Sequence, residues 1–179
     1  MNEKLTNYLN GVFEPYDEVK SVTELKGMIR PDDKVIVEMR ENIALSCHPY
    51  TYEERFLEAF RMSLARICMI KTVKLPIDFW LSQDFSEMIS LGAGDEMDKA
   101  IMLCSLLRSF GNESVCVLVT GSKKAYVVFD YSEESFGIDI DRCSEIRAPT
   151  REEVLKTLSE NNSLLYAFSD KTYEEYGEL

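Results

Sequence analysis

The residues able to do covalent or metal chemistry are few. The chain has one histidine, His48, and five cysteines: Cys47, Cys68, Cys104, Cys116 and Cys143. The cysteines are odd in number, widely spaced and free of any C-x-x-C pair, and four lie within or beside apolar runs. They read as reduced thiols acting as small core hydrophobes, Cys104 and Cys116 included. One His and no cysteine cluster leave zinc without ligands, so no metal and no cofactor is expected. His48 sits in a Cys-His-Pro-Tyr stretch and reads as a solvent-facing loop residue rather than a base for Cys47. The carboxylates remain. Asp139-Ile140-Asp141 is a two-carboxylate pattern without calcium-loop spacing, which makes it a pair of strand-end charges. Gly92-Ala93-Gly94-Asp95-Glu96 has the glycines of a phosphate loop but lacks its Lys-Ser/Thr, and two carboxylates stand where the phosphate would bind. A hydrolase using acidic residues around Asp95, Glu96 and Asp139 stays open as a weaker reading.

The elements that must position these groups follow from hydrophobic period. Leu5, Tyr8, Leu9 and Val12 share a helical face, as do Val22, Leu25 and Met28-Ile29; residues 1–30 form an N-terminal helical segment. Residues 31–179 form the main domain, and the whole is one compact unit. Asp33 can cap a helix running from Val35 to about Cys47. Thr51-Tyr52-Glu53-Glu54 is a capping box opening a second long helix, with Phe56, Phe60 and Ile67 on one face and Pro76 as its stop. A short helix from Ser82 or Asp84 ends in Leu91-Gly92-Ala93-Gly94. Asp95 then caps a helix so apolar, Met97 through Phe110, that it must be central, with Gly111 as its stop. Thereafter the period changes to that of strands: Val115–Val119 and Ala125–Tyr131 around a turn at 120–123, then Phe136–Ile140. A helix capped at Thr150 runs to about Ser159, and Ser163–Phe168 reads as a last strand. Helices first and strands after them give an α+β domain with a buried helix on an antiparallel sheet.

The formal net charge is −12, and the last quarter from Glu133 onward holds 12 acidic against 5 basic residues. Such a surface disfavours a nucleic-acid backbone or an anionic membrane as partner. No apolar run approaches the length of a membrane span, and a cytoplasmic location is expected.

Gly94-Asp95-Glu96-Met97-Asp98-Lys99-Ala100, followed by an apolar helix ending in Leu106-Leu107-Arg108-Ser109-Phe110-Gly111, closely resembles the transglutaminase-like superfamily, whose motif is Gly-Asp-Cys-x-Asp-x-Ala and Leu-Leu-Arg-x-x-Gly. The stretch from Trp80 to Leu91 resembles the family's approach to its catalytic loop. Lys124-Ala125-Tyr126-Val127-Val128 resembles its His-Ala-aromatic-Val strand, and Phe136-Gly137-Ile138-Asp139 the strand bearing its third catalytic residue. About Pro31 to Asp141 is covered. The resemblance implies a papain-like/transglutaminase-like fold and a Cys-His-Asp site.

The departures decide the chemistry. Such a site needs a thiolate at a helix N-terminus, an imidazole base on the facing strand and an Asp to orient it. The Cys position here is Glu96. The His position is Lys124, or Ala125 if the alignment shifts by one. Asp139 alone matches. A carboxylate is no thiolate, and an ordinary lysine is a poor base at neutral pH. No catalytic residue is therefore expected among Glu96, Lys124 and Asp139. The expected function is an inactive transglutaminase-like domain, a scaffold or a binder of a peptide or protein segment. The alternative is a cysteine-type peptidase or acyltransferase with a displaced catalytic set. Glu96 and Lys124 carry the signs of the lost thiolate–imidazolium pair, which predicts an ion pair between them or between Lys124 and Asp139.

Overall fold

The computed structural model describes residues 21–73, 84–159 and 163–176. The helical run expected at Leu5–Val12, Pro76 and the stretch near Trp80 lie outside them. Helices α1 (Val22–Met28), α2 (Lys34–Ser46) and α3 (Tyr52–Met69) come first, then strand β1 (Lys71–Thr72), α4 (Phe85–Leu91), β2 (Ala93–Gly94) and α5 (Glu96–Ser109). Strands β3 (Cys116–Thr120), β4 (Ala125–Tyr131), β5 (Glu134–Asp139) and β6 (Ser144–Ala148) follow, then α6 (Arg151–Ser159), β7 (Leu164–Phe168) and β8 (Tyr173–Glu175). β1 and β2 form a small parallel pair, and the other six strands one antiparallel sheet in the order β6-β5-β4-β3-β7-β8. The order of helices before sheet is the expected α+β architecture.

Helix α5 is the axis of the molecule. Every residue from Met97 to Arg108 is buried, Leu103 and Leu107 completely. It packs with α2 and α3 on one face of the sheet, where Val117, Val119, Ala125, Val127, Phe129, Phe136 and Ile138 point. Phe129 stacks on Phe136 at 4.8 Å and meets Phe56 and Phe60 of α3 edge-on, giving that side an aromatic floor. The opposite pleat, Cys116, Leu118, Tyr126 and Val128, is covered by Val154 and Leu158 of α6. Gly137 permits that contact, because a Cβ there would lie 2.7 Å from Val154 Cγ1.

Several expectations are corrected. Thr51 is the N-cap of α3, but its side chain makes no capping hydrogen bond. That helix ends at Met69, well before Pro76, because Ile70 turns extended and the chain enters β1. β1, β2, β6 and β8 carry no apolar alternation long enough to announce them. The cysteines are not all reduced core residues: Cys47, Cys104 and Cys116 are free and buried, whereas Cys68 and Cys143 form a disulfide. The turn after β5 returns Cys143 to within 6.0 Å, Cα to Cα, of the last turn of α3. A sequence separation of 75 residues hides that meeting. Among the described residues, no helix is long and apolar enough to cross a membrane.

Candidate functional site

The N-terminus of α5 is built by short-range rules. Asp84 caps α4 and Gly92, at φ 62°, ends it in the left-handed conformation that glycine adopts freely. Ala93 and Gly94 pair with Lys71 and Thr72, which fixes the entry to α5. Asp95 then caps the helix reciprocally: its Oδ1 accepts the Asp98 amide at 2.7 Å, and Asp98 Oδ2 accepts the Asp95 amide at 3.4 Å.

Glu96 is the first residue of α5, and its Oε1 accepts the backbone N–H of Ala125 at 2.9 Å. This bond ties the helix N-terminus to the start of β4. Ala125 belongs to the pleat that faces α5 with Val127 and Phe129, whereas Tyr126 and Val128 lie on the other face. The residue of β4 that meets Glu96 is thus Ala125, and it presents an amide and a methyl group. The expected ion pair does not form. Lys124, one position earlier, makes no ion pair among the described residues, and its carbonyl closes the hairpin by accepting the Thr120 amide at 3.1 Å. Its ammonium acts on Glu96 only through space.

Burial raises the Glu96 pKa; the Ala125 amide opposes the shift, while the charges of Asp141 and Asp139 add to it and that of Lys124 reduces it. Asp139, 6% exposed, ends β5 opposite Tyr126. Its Oδ1 accepts the Arg142 amide at 3.0 Å and Oδ2 lies 3.8 Å from Arg142 Nε, so it organises its own turn. Glu96, Lys124 and Asp139 are brought within electrostatic range but share no hydrogen bond.

Sequence reasoning missed Lys99. One turn after Glu96, it is 2% exposed, and its Nζ donates to Thr72 Oγ1 at 3.0 Å. Burial lowers its pKa, opposed by the nearby charges of Asp141 and Glu96. The i, i+3 relation of Glu96 and Lys99 was a legible signal; the partner on two-residue β1 was not.

The thiols lie elsewhere. Cys104 is two turns down α5, wholly buried, and burial raises its pKa well above the ordinary range. Cys116 is pushed up to about 11 by burial, although Arg151 Nη2 donates to its sulfur at 2.7 Å. Burial also raises Cys47. Cys47 and His48 fall in the α2–α3 turn, and Tyr50 in that turn donates to the Phe110 carbonyl at 2.9 Å. This is the C-terminal end of α5, roughly 20 Å from Glu96 along a 14-residue helix. Among the described residues, no group of three or more His, Cys, Asp or Glu is arranged to hold a metal.

Residues 78–151 match the family model of the CEP76 peptidase-like domain. Among solved structures, the fold is similar to Legionella pneumophila LapG in calcium-bound form, with TM-score 0.56, 16% identity and 88% of each chain covered. A second LapG structure gives TM-score 0.56 at 14% identity, again over 88% of each chain. No curated protein matches the chain. The family match and the structural likeness support a transglutaminase-like superfamily member with the papain-like/transglutaminase-like fold.

Proposed function

We propose that this chain is a catalytically inactive transglutaminase-like domain that holds a peptide or protein segment where the N-terminus of α5 meets the sheet. The observation that carries this is the Glu96–Ala125 bond. A carboxylate occupies the helix position that acyl-transfer chemistry gives to a thiolate, and an alanine amide stands where a base would have to be. Burial holds Cys47, Cys104 and Cys116 in the thiol form at neutral pH, which favours the same reading. The peptidase-like description of the matching family keeps a displaced-set cysteine peptidase or acyltransferase as the alternative.

The test is to incubate the protein with a mixed peptide pool and to weigh both bound and free peptides by mass spectrometry. Retained peptides should be recovered intact, and Glu96→Arg, which reverses the charge at the helix N-terminus, should release them while the melting transition persists. Time-dependent shortening or amide ligation of the pool would favour the enzyme instead.

A further inference from the structure

The Cys68–Cys143 bridge joins the two chain segments that flank the N-terminus of α5. On one side Cys68 lies in the last turn of α3, and the chain then runs directly into β1. There the Lys71 amide donates to the Gly92 carbonyl at 2.9 Å and the Val73 amide to the Gly94 carbonyl at 3.0 Å. Thr72, between them, receives the buried Lys99 ammonium. On the other side Cys143 closes the turn that begins at Asp139 and contains Asp141, whose charge acts on both Glu96 and Lys99. The backbone of Cys143 is left-handed, at φ 51°, a conformation rare for a side chain of its kind. Cys143 is exposed and Cys68 half-buried. The bridge therefore sits at the surface, across the rim of the candidate site, and an external thiol can reach one of its sulfurs.

We infer that the Cys68–Cys143 pair is a redox latch: oxidised, it clamps the Asp139–Cys143 turn to the α3–β1 junction, and reduced, it frees both rims of the α5 N-terminus. The exchange is a two-electron thiol–disulfide reaction with a small-molecule or protein dithiol/disulfide carrier. On opening, a carrier thiolate attacks Cys143 Sγ, the Cys68 thiolate leaves and takes up a proton, and a second carrier thiol releases Cys143 as a thiol. The carrier ends as a disulfide. Closing is the reverse, with both protons passing to the carrier thiols. The latch is independent of whether the site is inactive, because it concerns the mobility of the rims and not turnover.

The experiment uses the full chain equilibrated in glutathione buffers from oxidising to reducing, with acid quench, alkylation and mass spectrometry in parallel with hydrogen exchange. In oxidising buffer a non-reduced digest should contain the 68–143 cross-link. Through the series Cys68 and Cys143 should become alkylatable together. On opening, amides around Lys71, Val73 and 139–143 should exchange about tenfold faster, while the core of α5 and strands β3 and β4 keep their protection. Cys143→Ser should give the fast-exchanging pattern in every buffer, and so should Cys68→Ser should the first variant fold poorly. A bridge that never forms, or one that resists reduced glutathione while the protein is folded, overturns the proposal. So does an exchange increase spread evenly over the whole chain, which is the mark of a structural staple, or none at all.

Discussion

Glu96→Cys combined with Ala125→His should create a reactive thiol, and the structure sets its size. The Glu96 carboxylate already reaches the Ala125 amide at 2.9 Å, so side chains at these two positions can meet without backbone movement. The thiol would stand at the first position of a 14-residue helix, and an imidazole beside it would hold the thiolate. Together such surroundings bring cysteine pKa values from ~8.5 into the ~3.5–7.5 range. A value of ~7 would raise the thiolate fraction at pH 7 from about 3% to about 50%, a gain of roughly fifteenfold. The assay is the iodoacetamide rate against pH on the unreduced protein. Its background is low, because Cys47, Cys104 and Cys116 are buried and Cys68 and Cys143 are bridged. Glu96→Cys with Lys124→His is the control, because Lys124 lies outside the contact and its histidine should lower the pKa less. An ordinary thiol pKa in the Ala125 variant, or an equal effect from the Lys124 variant, would refute the geometry given for the site.

Other outcomes follow from the packing and the charges. Leu103 is fully buried in α5, so Leu103→Ala should cost ~2–5 kcal/mol in a urea melt, and a loss below ~1 kcal/mol would mean that α5 is not the core axis. The Arg108 side chain, 3% exposed, pairs with both carboxylate oxygens of Asp170 at 2.6 and 2.9 Å. Asp170→Ala strands that buried cation, with a loss of ~3 kcal/mol expected by the same melt; Arg108→Met with Asp170→Ala should recover part of it. Burial raises the Glu96 pKa, so the folded state binds its proton more tightly than the unfolded chain. Its contribution to stability is complete below the unfolded value, 4.5, and is lost as pH rises through the folded pKa. Glu96→Gln keeps an acceptor for Ala125 and should match the wild type at acid pH and exceed it at pH 7; melts that stay parallel across that range would contradict the shift. Lys99 has the opposite sense. Its lowered pKa means that wild-type stability rises as pH climbs through the folded pKa toward 10.5, and Lys99→Met should abolish that rise.

The parts legible in the sequence are those with strong local signals. Asp95 and Asp98 spell out the reciprocal cap of α5, and an unbroken apolar helix can only be central. The β3–β4 hairpin shows itself because both strands are buried on both faces. β6 and β8 escaped notice for the converse reason. Glu145, Arg147 and Glu174 face water, and the two strands lie toward or at the sheet margins, where polar side chains are normal. Thr51 shows that a capping-box pattern is necessary but insufficient, since the threonine rotamer turns elsewhere. At the candidate site, Glu96 and Asp139 were visible as departures from and matches to a family motif. The pleat that puts Ala125 rather than Lys124 against Glu96 needs the register of β4 against its neighbours. The burial of Lys99 and the bridging of Cys68 to Cys143 are long-range facts, decided by which segments flank one helix end and invisible to any local window.

The central claim is that the native chain has lost the thiolate chemistry of its fold. It is tested most directly by mapping, cysteine by cysteine, the alkylation rate of the folded native protein at neutral pH, with and without reductant, against free cysteine. The account predicts no cysteine faster than the free amino acid: Cys47, Cys104 and Cys116 protected, and Cys68 and Cys143 silent until reduced and then ordinary. Stoichiometric labelling of one cysteine faster than the free amino acid, with the protein folded, would contradict it.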